Sequence, residues 1–168
     1  MLMRHVFLTG MSGAGKSSLG RRAANELRLP FYDTDQMIAD ILGCKTTETF
    51  TRYGEEAFRT AETNILIQLT RMEPAIVSTG GGTVLREINR QIMRNHGCIV
   101  LIDRPPEQIK VDIRLETRPL LAQKGVGEVD RLYAQRIDIY RGAADVILDN
   151  SHGYNYGLNE LERIIRAL

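Results

Sequence analysis

Three glycines followed by a lysine and a serine stand near the start of the chain, in Gly10-Met-Ser-Gly-Ala-Gly-Lys-Ser17. This spacing matches G-x-x-x-x-G-K-[ST], the pattern of a phosphate-binding loop, or P-loop. Glycines allow backbone N–H groups to turn inward around phosphate oxygens, and the helix predicted to follow adds its positive N-terminus. Because a Lys-Ser pair has no packing reason to follow such a loop, we expect a nucleoside triphosphate as the ligand.

Each part of this loop can be matched to a part of the triphosphate. Lys16 is expected to bridge the β- and γ-phosphates, Ser17 to ligate magnesium, and Ser18 to contact the α-phosphate. The remaining predicted ATP-binding residues of the loop are Gly13, Ala14 and Gly15.

Two aspartates follow the next short apolar segment, in Asp33-Thr-Asp35. Parallel sheets bind ligands at the carboxyl ends of their strands, so both carboxylates are expected to face the P-loop. Asp33 is predicted to hold magnesium through water, and Asp35 to hydrogen-bond an acceptor hydroxyl and take its proton. Either aspartate could instead be a helix N-cap, and the sequence leaves that alternative open.

A second group of residues has the chemistry to bind an anionic acceptor. Arg59 and Glu62 lie three apart on a predicted helix, which gives either a solvated surface pair or, backed by Phe58, a rigid arginine fork for a carboxylate. The run Gly80-Gly81-Gly82 follows a predicted strand. It is either a plain loop or a place where backbone N–H groups approach a ligand without a Cβ in the way.

Two further arginines lie beyond residue 110. Arg118 falls in a polar segment and is predicted to swing onto the transferring phosphoryl group, where it would neutralise charge in the transition state. Arg136, on the helix after that segment, is predicted to give a second contact to an anionic acceptor.

The elements that must position these groups alternate between strand and helix. Strands are predicted at residues 5–9, 30–32, 75–78, 98–102 and 144–148. Helices are predicted at residues 16–27, about 34–42, 55–72, 86–95, 105–115, 128–141 and 158–168. Helical crossovers make neighbouring strands parallel and cover both faces, so the predicted class is a three-layer α/β/α sandwich with a five-stranded parallel sheet.

The length of 168 residues fits one domain, 1–168. Within it we expect a substrate-binding helical region at about 33–62. A mobile lid is expected at about 112–126, because this part of the chain is polar, contains glycine and is too short for a domain linker.

Composition excludes several classes of function. The formal net charge is +1, so no broad field favours nonspecific binding to nucleic acid or a membrane. Cys44 and Cys98 lie far apart, which argues against a disulfide framework or a zinc site. No stretch approaches the roughly 18 apolar residues of a membrane span. We therefore expect a cytoplasmic protein, monomeric, whose partners are small-molecule substrates.

Six motifs together resemble the shikimate kinase family, in order and at compatible spacing across nearly the whole chain. They are residues 10–18, Asp33-Thr-Asp35, Phe58-Arg59-x-x-Glu62, Gly80-Gly81-Gly82, Arg118-Pro-Leu-Leu121 and Arg136-x-x-x-Tyr140. The resemblance implies a P-loop NTPase fold of the nucleoside monophosphate kinase type. It also implies ATP-dependent phosphorylation of the 3-hydroxyl of shikimate, giving shikimate 3-phosphate and ADP in the chorismate pathway of aromatic amino acid biosynthesis.

The resemblance also implies roles for individual residues. Shikimate would be bound by Asp35, Arg59, Gly81 and Arg136, with Gly80 and Gly82 beside them. Arg118 would reach the phosphates, Asp33 would support Mg²⁺, and Arg114 is the match to the family's adenine-stacking arginine. The chain departs from the family in having Ser18 where threonine is common, and in a shorter segment before Arg118. The loop at 150–154 is expected near the adenine base.

Two other kinds of kinase and one non-enzyme remain as alternatives. A gluconate-type sugar acid kinase shares the P-loop and the layout, and a nucleoside monophosphate kinase shares the lid. The Asp-Thr-Asp pair and the triple glycine favour a hydroxylated carboxylic acid over both. A P-loop nucleotide switch would usually carry a guanine-reading Asn-Lys-x-Asp motif, which the sequence lacks.

Overall fold

The structure is a computed structural model that describes residues 2–112 and 127–168. The strands are β1 His5–Thr9, β2 Phe31–Asp33, β3 Ile76–Ser78, β4 Gly97–Asp103 and β5 Val146–Asp149. The helices are α1 Lys16–Leu27, α2 Thr34–Leu42, α3 Thr46–Leu69, α4 Glu87–His96, α5 Pro106–Asp112, α6 Glu128–Ala143 and α7 Tyr154–Ala167. A short 3₁₀ helix, Thr83–Leu85, lies between β3 and α4.

The five strands form one parallel sheet in the order β2-β3-β1-β4-β5. From β1 the chain crosses through α1 to β2 in one direction, and from β3 it crosses through α4 to β4 in the other. Right-handed crossovers in opposite directions place their helices on opposite faces of the sheet. The predicted three-layer α/β/α class is therefore confirmed.

The apolar strands explain why the sheet lies at the centre of the molecule. Phe7 and Leu8 on β1, and Ile99 and Leu101 on β4, are almost fully buried. Continuous apolar runs of this kind are typical of strands covered on both faces. The direction of the crossovers reverses around β1, and ligands bind at the carboxyl edge of such a reversal. The loops after β1, β2 and β3 end at that edge.

Most predicted elements are confirmed, and the largest difference is the start of α3. Residues 16–27 form α1 as expected, but α3 begins at Thr46 rather than at residue 55. The early part of α3 lacks apolar helical spacing and is separated from the rest by Gly54, at φ 80° and ψ 169°. It packs against α2 and buries Thr49, so tertiary contact rather than local periodicity stabilises it.

Smaller differences lie at element ends. Strand β2 is shifted by one residue from the prediction, α7 begins four residues before residue 158, and the 3₁₀ helix was not predicted. Almost all of the predicted lid at about 112–126, with Arg114 and Arg118, lies outside the described residues. Among the helices of the described ranges, none combines the length and the apolar character needed to cross a membrane.

Candidate active site

The loop between β1 and α1 has the backbone shape that phosphate binding requires. Gly13 and Gly15 have φ angles of 85° and 104°, in the left-handed region that favours glycine. Gly10, with φ 136°, also lies so close to β4 that a Cβ there would be 2.5 Å from the carbonyl oxygen of Ile102. The sequence pattern therefore folds as expected, between a buried strand and the N-terminus of a helix.

Lys16 lies over this loop with its ammonium group turned inward. Its Nζ donates to the backbone carbonyls of Gly10 and Met11, at 2.8 Å in each case, and the residue is buried. Ser18 Oγ, in the first turn of α1, donates to the carbonyl of Gly15 at 3.0 Å. Lys16 is thus held within reach of the loop interior, where a phosphate would lie.

Ser17, Asp33 and Ser78 bring three side-chain oxygen groups together beside the P-loop. The hydroxyl of Ser17 donates to Asp33 Oδ2 at 2.5 Å and lies 3.0 Å from the hydroxyl of Ser78. Hard divalent cations bind oxygen ligands, and Mg²⁺ in particular is commonly held by one or two carboxylates together with substrate phosphates. Groups of three or more His, Cys, Asp or Glu side chains suited to a metal are absent from residues 2–112 and 127–168.

The Asp33-Thr-Asp35 segment serves two purposes at once. Asp33 ends β2 and is also the N-cap of α2, because its side chain accepts from the backbone N–H groups of Asp35 and Gln36. Asp33 is therefore a helix N-cap, as the alternative prediction had it, and it contacts Ser17 as well. Asp35 falls in the first turn of α2, and Thr34 between them accepts a hydrogen bond from the N–H of Gly80.

The triple glycine packs against its neighbours so closely that a Cβ on Gly80 or Gly82 would overlap a neighbouring side chain. A Cβ on Gly80 would lie 2.6 Å from Glu62 Oε1 and 2.7 Å from Asp35 Oδ1. A Cβ on Gly82 would overlap the guanidinium of Arg59. Gly81 meets the P-loop instead, since its Cβ would lie 3.0 Å from Ser12 Oγ. The loop is therefore the surface where the P-loop, Asp35 and Arg59 meet.

Arg59 and Glu62 form a buried ion pair, not a solvated one. Arg59 Nη1 donates to Glu62 Oε2 at 2.7 Å, with side-chain exposures of 8% and 0%. The other oxygen of Glu62 accepts from Thr83 Oγ1 at 2.6 Å, and the Arg59 guanidinium lies 5.7 Å from the ring centre of Phe58. The solvated surface pair is therefore wrong, and the carboxylate fork, with Phe58 beside the guanidinium, stays a prediction.

The charge of Arg59 is stabilised within this cluster. Burial by itself would lower the pKa of the guanidinium, but the charge and hydrogen bond of Glu62, with a further hydrogen bond to Glu55, raise it. A permanently charged, oriented guanidinium is the group that binds planar carboxylates best.

Arg136 reaches the same cluster from helix α6. Its side chain is half-buried and lies one turn before Tyr140 on the same face of the helix, where its charge acts to lower the pKa of the Tyr140 hydroxyl. That hydroxyl donates to the backbone carbonyl of Gly81. The structure thereby brings Arg136 to the glycine loop that Arg59 also contacts.

The loop at 150–154 lies against the P-loop and the start of α1. Asn150 is buried and donates through Nδ2 to the carbonyl of Ala14 at 2.8 Å. The hydroxyl of Tyr154 lies 3.4 Å from the carbonyl of Ser18, to which it donates. This places the loop next to the predicted ATP-binding residues, while Arg114 and Arg118 fall outside the described part of the chain.

Several residues of the site were missed by sequence reasoning. Ser78 could have been found, because it ends a strand at the carboxyl edge of the sheet. Thr83 gave no such signal, since its partner Glu62 lies 21 positions away. The loop that contains Asn150 was expected near the base, but its contact with Ala14, 136 positions away, was not predicted.

The P-loop lies where the crossover direction of the parallel sheet reverses, and an acidic residue and a charged arginine border it. These features define a P-loop kinase that acts on a small anionic acceptor. The protein-family model described as "Shikimate kinase" matches residues 12–166. The chain belongs to the shikimate kinase family.

Individual relatives agree with the family match. The chain is 36% identical over 160 residues to a shikimate kinase of Clostridium botulinum, covering 95% of this chain and 96% of that protein. A shikimate kinase of Neisseria meningitidis is 38% identical over 149 residues, covering 88% of each. Among solved structures, a shikimate kinase from Acinetobacter baumannii in complex with shikimate matches with a TM-score of 0.88 and 30% identity, covering 98% of this chain and 92% of that one.

Proposed function

We propose that this protein transfers the γ-phosphoryl group of ATP to the 3-hydroxyl of shikimate, giving shikimate 3-phosphate and ADP, in aromatic amino acid biosynthesis. The observation that carries the proposal is the meeting of the P-loop, Asp35 and the Arg59–Glu62 pair at the glycine loop 80–82. A hydroxylated carboxylic acid is the acceptor such a pocket suits, because it offers a carboxylate to the arginine and a hydroxyl to the aspartate.

The acceptor carboxylate is bound by Arg59 and Arg136, with backbone groups of Gly80, Gly81 and Gly82 alongside. Support comes from the buried Glu62, which accepts from Arg59 Nη1 at 2.7 Å and so holds the planar guanidinium in one orientation. Asp35 orients the acceptor hydroxyl and accepts its proton. Because phosphoryl transfer passes through a loose transition state, orientation contributes more than early proton removal.

The donor site consists of Gly13, Ala14, Gly15, Lys16, Ser17 and Ser18. Ser17 and Asp33 are the proposed Mg²⁺ ligands, Asp33 through water, and their 2.5 Å contact supports this pairing. When bound, Mg²⁺ neutralises charge on the β- and γ-phosphate oxygens. Lys16 and Arg118 supply the remaining positive charge, and Arg114 stacks on adenine by analogy with the family. The cytoplasmic location and the monomeric state stay predictions.

A coupled assay of ADP formation tests the proposal directly. Shikimate, gluconate and AMP are offered separately with ATP and magnesium, and ADP is expected to form rapidly with shikimate alone. Faster ADP formation with gluconate or AMP would show that the protein is a gluconate-type kinase or a nucleoside monophosphate kinase instead. Steady hydrolysis that ignores all three acceptors would favour a nucleotide switch instead.

A further inference from the structure

Tyr140 borders the proposed acceptor site, but the proposed reaction gives this residue no role. It lies on α6, is 1% exposed, and its hydroxyl donates to the backbone carbonyl of Gly81, 59 positions away. We propose that Tyr140 is a positioning residue, whose hydroxyl fixes Gly81 and Arg136 relative to each other for acceptor binding. This inference rests on the proposed function, because it assumes that Gly81 and Arg136 bind the acceptor.

Gly81 is held from two sides. On one side, a Cβ would lie 3.0 Å from Ser12 Oγ and 3.3 Å from the backbone nitrogen of Ser12, so the residue is in close contact with the P-loop. On the other side, its carbonyl accepts from Tyr140. The orientation of the peptide groups of Gly81 therefore depends on both the donor site and helix α6.

Arg136 is coupled to the same hydroxyl. Arg136 and Tyr140 lie four positions apart on α6, so their side chains are neighbours on one face of the helix. The charge of Arg136 acts on the Tyr140 hydroxyl, as do the charges of Arg59 and Glu62. A phenol has one O–H to donate and lone pairs to accept with. Tyr140 can thus donate to Gly81 and accept from Arg136 at the same time, which places it between two acceptor-binding groups.

The hydroxyl stays protonated under all ordinary conditions. Burial raises the pKa of Tyr140 to about 12, although the nearby Arg136 acts to lower it. The hydrogen bond to the Gly81 carbonyl is therefore expected to persist across the working pH range. A phenylalanine would fill the same space in the core, so the hydroxyl, and not the ring, carries the positioning role.

Tyr133 on the same helix provides a matched control. It is also partly buried, and its hydroxyl donates to Asp103 Oδ1 at 2.9 Å, away from the glycine loop. Tyr140→Phe and Tyr133→Phe each delete one bonded phenol hydroxyl from α6. If only Tyr140→Phe changes the KM for the acceptor, the change is due to the contact with Gly81 and not to the loss of a buried hydroxyl in general.

The test measures KM and kcat for shikimate and for ATP in both variants. Tyr140→Phe is expected to raise KM for shikimate roughly 5- to 10-fold, equally from about pH 6 to 9, with KM for ATP little changed. Tyr133→Phe is expected to match the wild type. If Arg136→Lys is added, the effect of Tyr140→Phe should shrink, because the two residues act through one contact.

The outcomes separate this inference from the proposed function. A Tyr140→Phe variant with reduced thermal stability but wild-type KM for shikimate would show a structural role only and overturn the inference. Full additivity with Arg136→Lys would also count against it. A wild-type protein that forms no ADP in response to shikimate would instead overturn the proposed function, whatever the variants do.

Discussion

Asp35 is the residue whose chemistry is most easily separated from ATP binding. It lies in the first turn of α2 and borders Gly80, whereas the P-loop is formed by other residues. Asp35→Asn keeps the shape of the side chain and removes the charge that is proposed to orient the acceptor hydroxyl and take its proton. We expect kcat for shikimate-dependent ADP formation to fall by about 10²-fold or more, with the Kd for ATP, measured by calorimetry, close to that of the wild type.

The matched control is Asp40→Asn. Asp40 lies on the same helix, and its exposed carboxylate accepts a hydrogen bond from Gln36. This variant loses the same charge at a distance from the glycine loop and is expected to keep wild-type turnover. Undiminished turnover in Asp35→Asn would remove Asp35 from the proposed chemistry.

Arg59 allows charge and geometry to be tested separately. Arg59→Lys keeps a cation beside Glu62 but loses the planar fork that binds a carboxylate through two parallel hydrogen bonds. We expect KM for shikimate to rise roughly 10- to 100-fold, since a hydrogen bond to a charged group contributes about 1.5–3 kcal/mol. Arg59→Ala should weaken acceptor binding as well, but it also leaves the buried Glu62 without this cation, which costs about 3–5 kcal/mol of stability.

A surface arginine provides the comparison for this substitution. Arg86 donates to Glu56, whose side chain is 87% exposed. Arg86→Lys should change neither KM nor stability by much, because exposed ion pairs contribute about 0–1 kcal/mol. Acceptor affinity that is unchanged in Arg59→Lys and in Arg59→Ala by calorimetry would contradict the carboxylate fork.

At the scale of elements, the sequence predicts what is local and misses what depends on distant partners. The P-loop motif determines where β1 ends and α1 begins, and both were predicted at their observed bounds. The start of α3 at Thr46 was not, because its stability comes from packing on α2 and not from its own apolar spacing.

The candidate site follows the same rule. The residue types and the motif spacing of Asp35, Arg59 and the glycine run were sufficient to select them as candidates. The i,i+3 spacing also indicated the Arg59–Glu62 pair. Partners from other segments were not readable, because the order β2-β3-β1-β4-β5 decides which loops become neighbours. The contact of Tyr140 with Gly81 needs α6 and the loop after β3 to meet, and no local pattern records that meeting.

His5 joins three elements through both of its ring nitrogens. It is buried at the start of β1; Nε2 donates to the carbonyl of Leu69 at the end of α3, and Nδ1 accepts from the N–H of Ala75 just before β3. This pattern requires the neutral ring. Burial lowers the pKa of His5 below 6.5, and nearby His96 acts in the same direction.

The consequence is a loss of stability in mild acid. Below about pH 6.5 the unfolded chain binds a proton at His5 more readily than the folded protein does, so the free energy of unfolding falls as pH falls through the folded pKa. Above about pH 6.5 this contribution is fully present. Urea unfolding at a series of pH values should show the decline in the wild type and a weaker one in His5→Phe, whose absolute stability is lower throughout.

The exposed His152 serves as the control for this measurement. It lies on the loop after β5, with a side chain that is 61% exposed. His152→Gln removes one exposed imidazole without affecting the junction of β1, α3 and β3. The acid decline is expected to persist in this variant. An equal slope in wild type and His5→Phe would mean that other groups cause it.

At the scale of the whole molecule, the sheet order brings the two substrates together. The loops after β1, β2 and β3 reach one edge because those strands are adjacent and parallel, so Ser17, Asp33 and Ser78 meet although they come from three parts of the chain. A nucleotide and a metal bound at this edge, as proposed, would contact segments that are far apart in the unfolded chain. Their binding should therefore stabilise the entire fold and not the P-loop alone.

Thermal unfolding with ADP, with and without magnesium, tests this coupling. A ligand at 100 times its Kd stabilises the folded state by about 2.7 kcal/mol, which for a chain of this size raises Tm by roughly 5–10 °C. We expect ADP with magnesium to give a larger rise than ADP with EDTA, because Ser17 and Asp33, the proposed Mg²⁺ ligands, come together only in the folded chain. Ser17→Ala should lose the magnesium-dependent part, whereas Ser18→Ala, whose hydroxyl contacts Gly15, should keep it. A full magnesium-dependent rise in Ser17→Ala would exclude that hydroxyl as a ligand.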